Sequence, residues 1–133
     1  MTVGLDTSVA VRLLIGEPAA QCDAIHRFLG ERAAAGEEPA QISDLVVGET
    51  YFALRHHYQV PHAKAVAAIR ALLADPRIHP SGVAAEVMRR LGVSESAPGL
   101  MDRLIHGDYL ASGAVLLTLD KDAARLNRAK LIG

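Results

Sequence analysis

Residues 114 to 118 read Ala114-Val115-Leu116-Leu117-Thr118, an uninterrupted apolar run of strand length that leads into Leu119 and Asp120. Such a run is typical of a strand buried on both faces of a parallel sheet. Elsewhere in the chain, shorter apolar runs alternate with segments of helical periodicity, a pattern of repeated strand–helix–strand units. The sequence therefore predicts an α/β fold in which helices cover both sides of a central parallel sheet.

The hydrophobic pattern on either side of this run predicts the remaining elements. Further strands are predicted at Val3 to Leu5, Ala40 to Ser43, Arg77 to His79 and Leu131-Ile132. Helices are predicted where apolar residues recur every three or four positions, at residues 9–16, 19–35, 45–58, 61–74, 82–91, 100–112 and 121–127. No repeat or linker divides the chain, so residues 1–133 are expected to form one domain.

The composition excludes several classes of protein. Lysine and arginine number 14 against 15 aspartates and glutamates, so no bulk positive charge is present to hold nucleic acid non-specifically. Because Cys22 is the only cysteine, an internal disulfide and a cysteine-rich metal cluster are both excluded. The first residues lack the basic and apolar segments of a signal peptide, which predicts a cytosolic protein. Five aromatic residues in all argue against an extended base-stacking surface.

Two aspartates directly follow predicted strands, where ligands bind in open α/β sheets. They are Asp6 and Asp120. Each also has a structural interpretation, because aspartate after a strand is a good N-cap for the next helix. Asp102 falls in a first helical turn, where a negative charge complements the helix dipole, and Asp44 is interpreted as a helix cap.

Glu49 is harder to explain by a structural role. Its neighbours one helical turn away on either side are all apolar: Leu45, Val46, Phe52 and Ala53. One interpretation places its stem over apolar surface with the carboxylate in water, and the other places the carboxylate at the floor of a cleft.

A metal site would follow if Asp6, Glu49, Asp102 and Asp120 converged. Their mutual repulsion would destabilise the fold unless a cation offset it. Carboxylate and water oxygens select a hard divalent ion, Mg²⁺ or Mn²⁺, rather than zinc. Such an ion can activate water and neutralise charge on a phosphoryl group.

Four segments, taken in order, resemble the PIN-domain ribonucleases, and especially the VapC-type toxins of bacterial toxin–antitoxin pairs. They are residues 5–9 (LDTSV), 42–49 (ISDLVVGE), 101–105 (MDRLI) and 113–122 (GAVLLTLDKD). The resemblance covers nearly the whole chain and implies an α/β/α sandwich with a central parallel sheet. It also implies Mg²⁺- or Mn²⁺-dependent cleavage of RNA, homodimerisation, and inhibition by a cognate antitoxin protein whose C-terminal segment blocks the acidic cleft.

The resemblance also implies roles for individual residues. Asp6, Glu49, Asp102 and Asp120 would be the acidic quartet, with Asp122 as an auxiliary ligand and with Thr7 and Thr118 orienting ligands or water. The chain departs from the family pattern at His106, where a small residue is usual, and at Ala123, where an aromatic residue is frequent. His106 is either a site residue or a hydrogen-bonded histidine of structural use.

Basic residues that could contact RNA are few, and those beside predicted acids are of most interest. Arg103 and Lys121 meet that condition, and His106 lies on the helical face of Asp102. His56 and His57 are predicted to interact with a helix C-terminus and are assigned no catalytic role.

Two other enzyme or signalling classes fit the sequence less well than a nuclease. A haloacid-dehalogenase-type phosphatase needs a second aspartate two residues after the first, and Ser8 stands at that position. A receiver domain needs adjacent acids early in the chain, which the spacing of the four acids does not provide. A PIN-like protein that binds RNA or protein with little catalysis stays open as an alternative.

Overall fold

The structure is a computed structural model that describes residues 1–133. Helices and short strands alternate, and the α/β class predicted from the sequence is confirmed. The six α-helices are α1 (Thr7–Ile15), α2 (Ala19–Ala34), α3 (Asp44–His56), α4 (His62–Ala74), α5 (Ala84–Arg90) and α6 (Leu100–Ala111). The four strands are β1 (Ala40–Ile42), β2 (Ile78–Pro80), β3 (Leu116–Thr118) and β4 (Ala129–Leu131). No helix combines the length and apolar character that crossing a bilayer requires.

The strands form two small parallel sheets. In the first, β1 pairs with β2 so that Ala40 lies opposite Ile78. The N-terminal segment joins the other side of β1, because the Leu5 amide donates to the carbonyl of Gln41 at 2.8 Å. In the second sheet β3 pairs with β4, and Leu116 lies opposite Ala129. The predicted single sheet is thus observed as two separately bonded pieces.

The apolar run at residues 114–118 contains strand β3, but this strand is not buried on both faces as predicted. Leu116 is 9% exposed, whereas Val115 is 46% and Leu117 60% exposed. Side chains alternate between the two faces of a strand, and only the face of Leu116 is covered. The side of the strand that carries Val115 and Leu117 is therefore open to solvent.

Two further predictions about elements need correction. The helix predicted at residues 121–127 is a short 3₁₀ turn, Ala123–Arg125, and the chain then turns at Arg128, whose φ is 56°, into β4. The segment Val3 to Leu5 makes only an isolated bridge to β1 rather than a full strand.

The core is aliphatic and is centred on α3 and α4. Helix α3 packs against α1, α4 and α6, and α4 also packs against α5. The largest fully buried apolar side chains come from these helices, from β1 and from α5: Ile42, Val47, Leu54, Val66, Ile69 and Met88. Helix α3 is therefore the element to which the other layers are attached.

Asp44 caps a helix, but not the helix that it begins. Ser43 is the N-cap of α3, where its Oγ accepts from the amide of Val46 at 3.3 Å. The Asp44 carboxylate instead accepts from the amides of Val83 and Ala84, both at 3.0 Å, at the start of α5. A side chain at Gly82 would overlap this carboxylate. Asp44 thus joins the starts of two helices that are distant in sequence.

Replacing Asp44 with alanine removes the acceptor for the first amides of α5. We expect a loss of about 1–2 kcal/mol in the free energy of unfolding, the usual cost of losing a helix cap. Urea denaturation measures this change in the free energy of unfolding. Asp23→Ala, on the exposed face of α2, is the matched control, and an Asp44→Ala protein as stable as that control would contradict the assignment.

Asp75 and Arg77 form an ion pair between the end of α4 and the start of β2. The Arg77 Nη2 lies 2.7 Å from Asp75 Oδ2, and the Arg77 backbone amide donates to Oδ1 at 2.9 Å. The hydrogen bonds from Arg77 hold the pKa of the Asp75 carboxyl below its ordinary value, against the opposing effect of partial burial.

The depressed pKa predicts a pH-dependent contribution to stability. In an unfolded chain the pKa of aspartate is about 3.9. Above that pH the ionised Asp75 therefore stabilises the fold, and this contribution is lost as the pH falls through the lower pKa of the folded state. Wild type should be more stable than Asp75→Asn at pH 7, and the difference should shrink below about pH 4. Thermal melts across pH test this, and a difference independent of pH would contradict it.

Candidate active site

The start of α1 and the middle of α3 bring two of the predicted acids to either side of Thr7. Asp6 is the N-cap of α1, and its Oδ1 accepts from the Thr7 amide at 2.8 Å. The Thr7 hydroxyl Oγ1 donates to Glu49 Oε1 at 3.1 Å. Thr7 therefore links both carboxylates by hydrogen bonds.

Glu49 lines an open groove of about 570 Å³ between α3 and the N-terminal end of α6. Thr7 and Glu49 contribute to one part of the wall, and Gly99, Leu100 and Met101 to another. Glu49 is exposed. The carboxylate is thus in contact with water, as in the first of the two interpretations, and it borders a groove.

Gly48 allows α3 and α6 to approach closely beside this groove. A Cβ at Gly48 would overlap the Cε of Met101 and would lie 3.5 Å from a methyl of Leu104. The Met101 thioether occupies the space that a side chain at residue 48 would fill. Residue 48 directly precedes Glu49 in the chain. Gly48 and Met101 both line the groove.

Asp102 lies in the first turn of α6 and is half-buried. Gly99 is the N-cap and has no side chain to accept from the first amides, so a carboxylate in this turn complements the helix dipole. The next residue, Arg103, donates from Nε to the carbonyl of Pro98 at 2.8 Å and fixes the loop before the helix.

Asp120 and Asp122 form a separate pair after β3. The Asp120 amide donates to Thr118 Oγ1 at 3.0 Å, and the Asp122 amide donates to Asp120 Oδ1 at 2.8 Å. Both aspartates are exposed. Thr118 thus positions the backbone of Asp120, and Asp120 begins a tight turn rather than capping a long helix.

The structure places the predicted acids in two pairs and leaves Asp102 outside both pairs. Asp6 and Glu49 meet at Thr7, Asp120 and Asp122 meet after β3, and Asp102 begins α6. No three aspartate, glutamate, histidine or cysteine side chains lie close enough together to hold a metal ion. The donors are nevertheless accessible carboxylate oxygens, the chemistry that Mg²⁺ and Mn²⁺ prefer.

The basic residues predicted to contact RNA lie at two different places. His106 donates from Nε2 to the Asn127 carbonyl at 2.5 Å, so it joins α6 to the segment before β4. Arg103 and His106 line a second cavity of about 420 Å³, between α5 and α6. Lys121 is exposed in the turn between Asp120 and Asp122.

The sequence pattern does not single out the apolar residues beside the acids. Phe52 and Met101 line the groove with Glu49, and His57 stands at its edge. The spacing of Phe52, one helical turn after Glu49, places the two side chains next to each other on α3. The sequence does not show, however, that this face of α3 is exposed.

A hydrogen-bonded tyrosine on α3 also lines the groove. Tyr51 Oη lies 2.6 Å from His62 Nδ1, and His62 Nε2 lies 3.1 Å from the carbonyl of Gly92. Because a carbonyl only accepts, Nε2 carries the proton and Nδ1 accepts from Tyr51. Burial raises the pKa of the Tyr51 phenol above its ordinary value, and nearby Arg55 partly opposes this. Tyr51 therefore stays protonated and donates.

Comparison with protein families assigns the chain to a known family. The model of the PIN domain matches residues 3–129, which include all the predicted acids. The chain belongs to the PIN domain family. Comparison with curated proteins and with solved structures finds no match. PIN domains are typically metal-dependent nucleases, so the exposed carboxylates of this PIN domain are of the type such a nuclease requires.

The close contact at Gly48 predicts the effect of a single added methyl group. Gly48→Ala should displace the flexible Met101 side chain, which is 39% exposed and can move into solvent, so the displaced contact should offset most of the about 1 kcal/mol that alanine gains over glycine in a helix. Met101→Ala in the same protein should restore much of this gain, which a double-mutant cycle by urea denaturation measures.

Gly30→Ala is the matched control in this PIN domain, because nothing lies within 4 Å of a Cβ at that position of α2. We expect it to stabilise the helix by about 0.5–1 kcal/mol. Equal effects of the substitutions at Gly48 and Gly30 would contradict a tight contact at Gly48.

Proposed function

We propose that this PIN domain is a divalent-metal-dependent endoribonuclease and acts as the toxin of a toxin–antitoxin pair in the cytoplasm. The observation that supports it best is the pair of accessible carboxylates, Asp6 and Glu49, which both accept from Thr7 while Thr7 and Glu49 line an open groove. In a chain of this family, such a pair suits the binding of a hard cation beside a phosphodiester.

In this proposal, Asp6 and Glu49 hold Mg²⁺ or Mn²⁺ together with Asp102 and Asp120, and Asp122 serves as an auxiliary ligand. When bound, the ion supplies an activated water and stabilises charge that develops on the phosphoryl group. Thr7 orients the Glu49 carboxylate through its hydroxyl, and Thr118 holds the backbone of Asp120. Arg103, His106 and Lys121 are the proposed RNA contacts on either side of these acids.

The proposal includes two protein partners, a second copy of the chain and a cognate antitoxin. Exposed apolar side chains on α3 and α6 support a homodimer, because Leu45 is 70% and Ile105 44% exposed. A basic antitoxin segment would be attracted to the exposed acids of the groove.

A binding function with little catalysis is the second candidate. The observation in its favour is that no three potential metal ligands lie together in the structure. In this alternative the same groove binds RNA or a protein without cutting, and the acids act as helix caps and turn residues.

Asp6→Asn separates the two candidates. Asparagine caps a helix as well as aspartate does, so stability should change little, while one metal-binding carboxylate is lost. For the nuclease, wild-type protein freed of any partner should cut a mixed tRNA and rRNA pool with Mn²⁺ or Mg²⁺ and not with EDTA, and Asp6→Asn should not cut.

Asp23→Asn is the control, because Asp23 is exposed on α2 and makes no hydrogen bond to the site. It should cut at the wild-type rate. Cleavage by Asp6→Asn as fast as by wild type would refute the role of Asp6, and the absence of cutting with either metal would favour the binding function.

A further inference from the structure

One aromatic side chain beside the candidate active site is unusually exposed. Phe52 is 58% exposed and lines the same groove as Glu49 and Thr7. Because Phe52 follows Glu49 by three residues on α3, the two side chains are neighbours on the helix surface. A phenyl ring in water forgoes the free energy that burial of its apolar surface would provide. A ligand that covered the Phe52 ring would gain this free energy of burial on binding.

The surroundings of Phe52 suit a flat ring. The His56 imidazole packs against the phenyl ring with 4.3 Å between centroids and 41° between planes. Met101 lines the groove as well, and thioethers pack well against aromatic rings. His57 provides ring nitrogens able to hydrogen-bond the polar edge of a ligand.

The charge of the groove distinguishes among ligands. No lysine or arginine lines it, so it offers no cationic partner to a phosphate. Its carboxylate, Glu49, lies at the end where the proposed ion would neutralise a phosphodiester. A neutral ring therefore fits the Phe52 end, and a phosphate fits the Glu49 end only with a cation present.

We infer that the Phe52 end of this groove is a subsite for one unpaired nucleobase of an RNA strand, next to the phosphodiester at the acids. The inference rests on the proposed function and makes it more specific, because it assigns the substrate class as RNA with an unstacked base. Proteins commonly recognise single-stranded RNA by stacking such bases on aromatic or histidine rings. The groove of about 570 Å³ is large enough for a nucleoside.

The test measures binding separately from cleavage. In an Asp6→Asn background, fluorescence anisotropy gives the affinity for a labelled oligouridylate that carries one 4-thiouridine. Removing the ring with Phe52→Ala should weaken binding about 5- to 150-fold, the range for loss of one stacked base. Phe52→Leu keeps an apolar side chain without a ring and should also bind weakly, whereas Phe52→Trp should bind as tightly as the parent. Photo-crosslinking should attach the thiouridine within residues 48–57, the second half of α3 and its C-cap.

Phe28→Ala is the matched control, since Phe28 is also an exposed phenylalanine, 48% exposed on α2, but does not line this groove. It should bind the oligonucleotide like the parent, and circular dichroism melts of all variants exclude unfolding as the cause of weak binding.

Three results would overturn the inference. Parent-like RNA affinity of Phe52→Ala would show that no base stacks there, and parent-like affinity of Phe52→Leu would show an apolar contact without stacking. If Phe52→Ala lost the ability to bind an apolar, cationic peptide while its RNA affinity stayed unchanged, the groove would be assigned to a protein partner. If wild type fails to cut RNA with either metal, the proposed nuclease function fails, while the affinities and crosslinks still report on the subsite.

Discussion

The close packing of α3 against α6 at Gly48 is the constraint on which the site depends. Helix α3 is attached to the core by Val47 and Leu54, and on another side it receives the Met101 side chain where Gly48 has none. Because Glu49 comes directly after Gly48, its carboxylate lies beside the point where α3 meets the first turn of α6. A packing residue and a proposed metal ligand are therefore adjacent in the chain.

The acids of this PIN domain serve local structure and offer functional oxygens at the same time. Asp6 accepts from the first amide of α1, and Asp120 accepts from the amide of Asp122. Both residues are exposed, so their carboxylates keep lone pairs that face solvent. The structural and functional interpretations are thus compatible, since a cap fixes a carboxylate in place without using all of its acceptor capacity.

Local periodicity is sufficient to predict where most of the helices lie, because an aliphatic face repeats every three or four residues in them. Helix α4 begins just after Pro61 and ends before Asp75, as the spacing predicts. The apolar neighbours of Glu49 likewise distinguish it from the other acids in the sequence. These features depend on residues close together in the chain.

Features that depend on distant residues are not predictable in this way. The apolar run at β3 does not reveal that one face is uncovered, because burial is decided by which elements pack on it. Asp44 is recognisable as a cap, but its partner amides lie about 40 residues further along the chain. The exposure of Phe52 is of the same kind, because the helical pattern does not distinguish a core aromatic from one that lines a groove.

The proposed nuclease function requires that Asp6 and Glu49 hold a divalent ion with the help of Asp102 and Asp120. A crystal of the protein grown with MnCl₂ tests this directly, because manganese gives an anomalous signal that locates the ion. We predict an anomalous peak within coordination distance of the Asp6 and Glu49 carboxylates, with at least one of the other two acids drawn to it. A manganese-containing crystal with no peak at these carboxylates would contradict the proposed metal site.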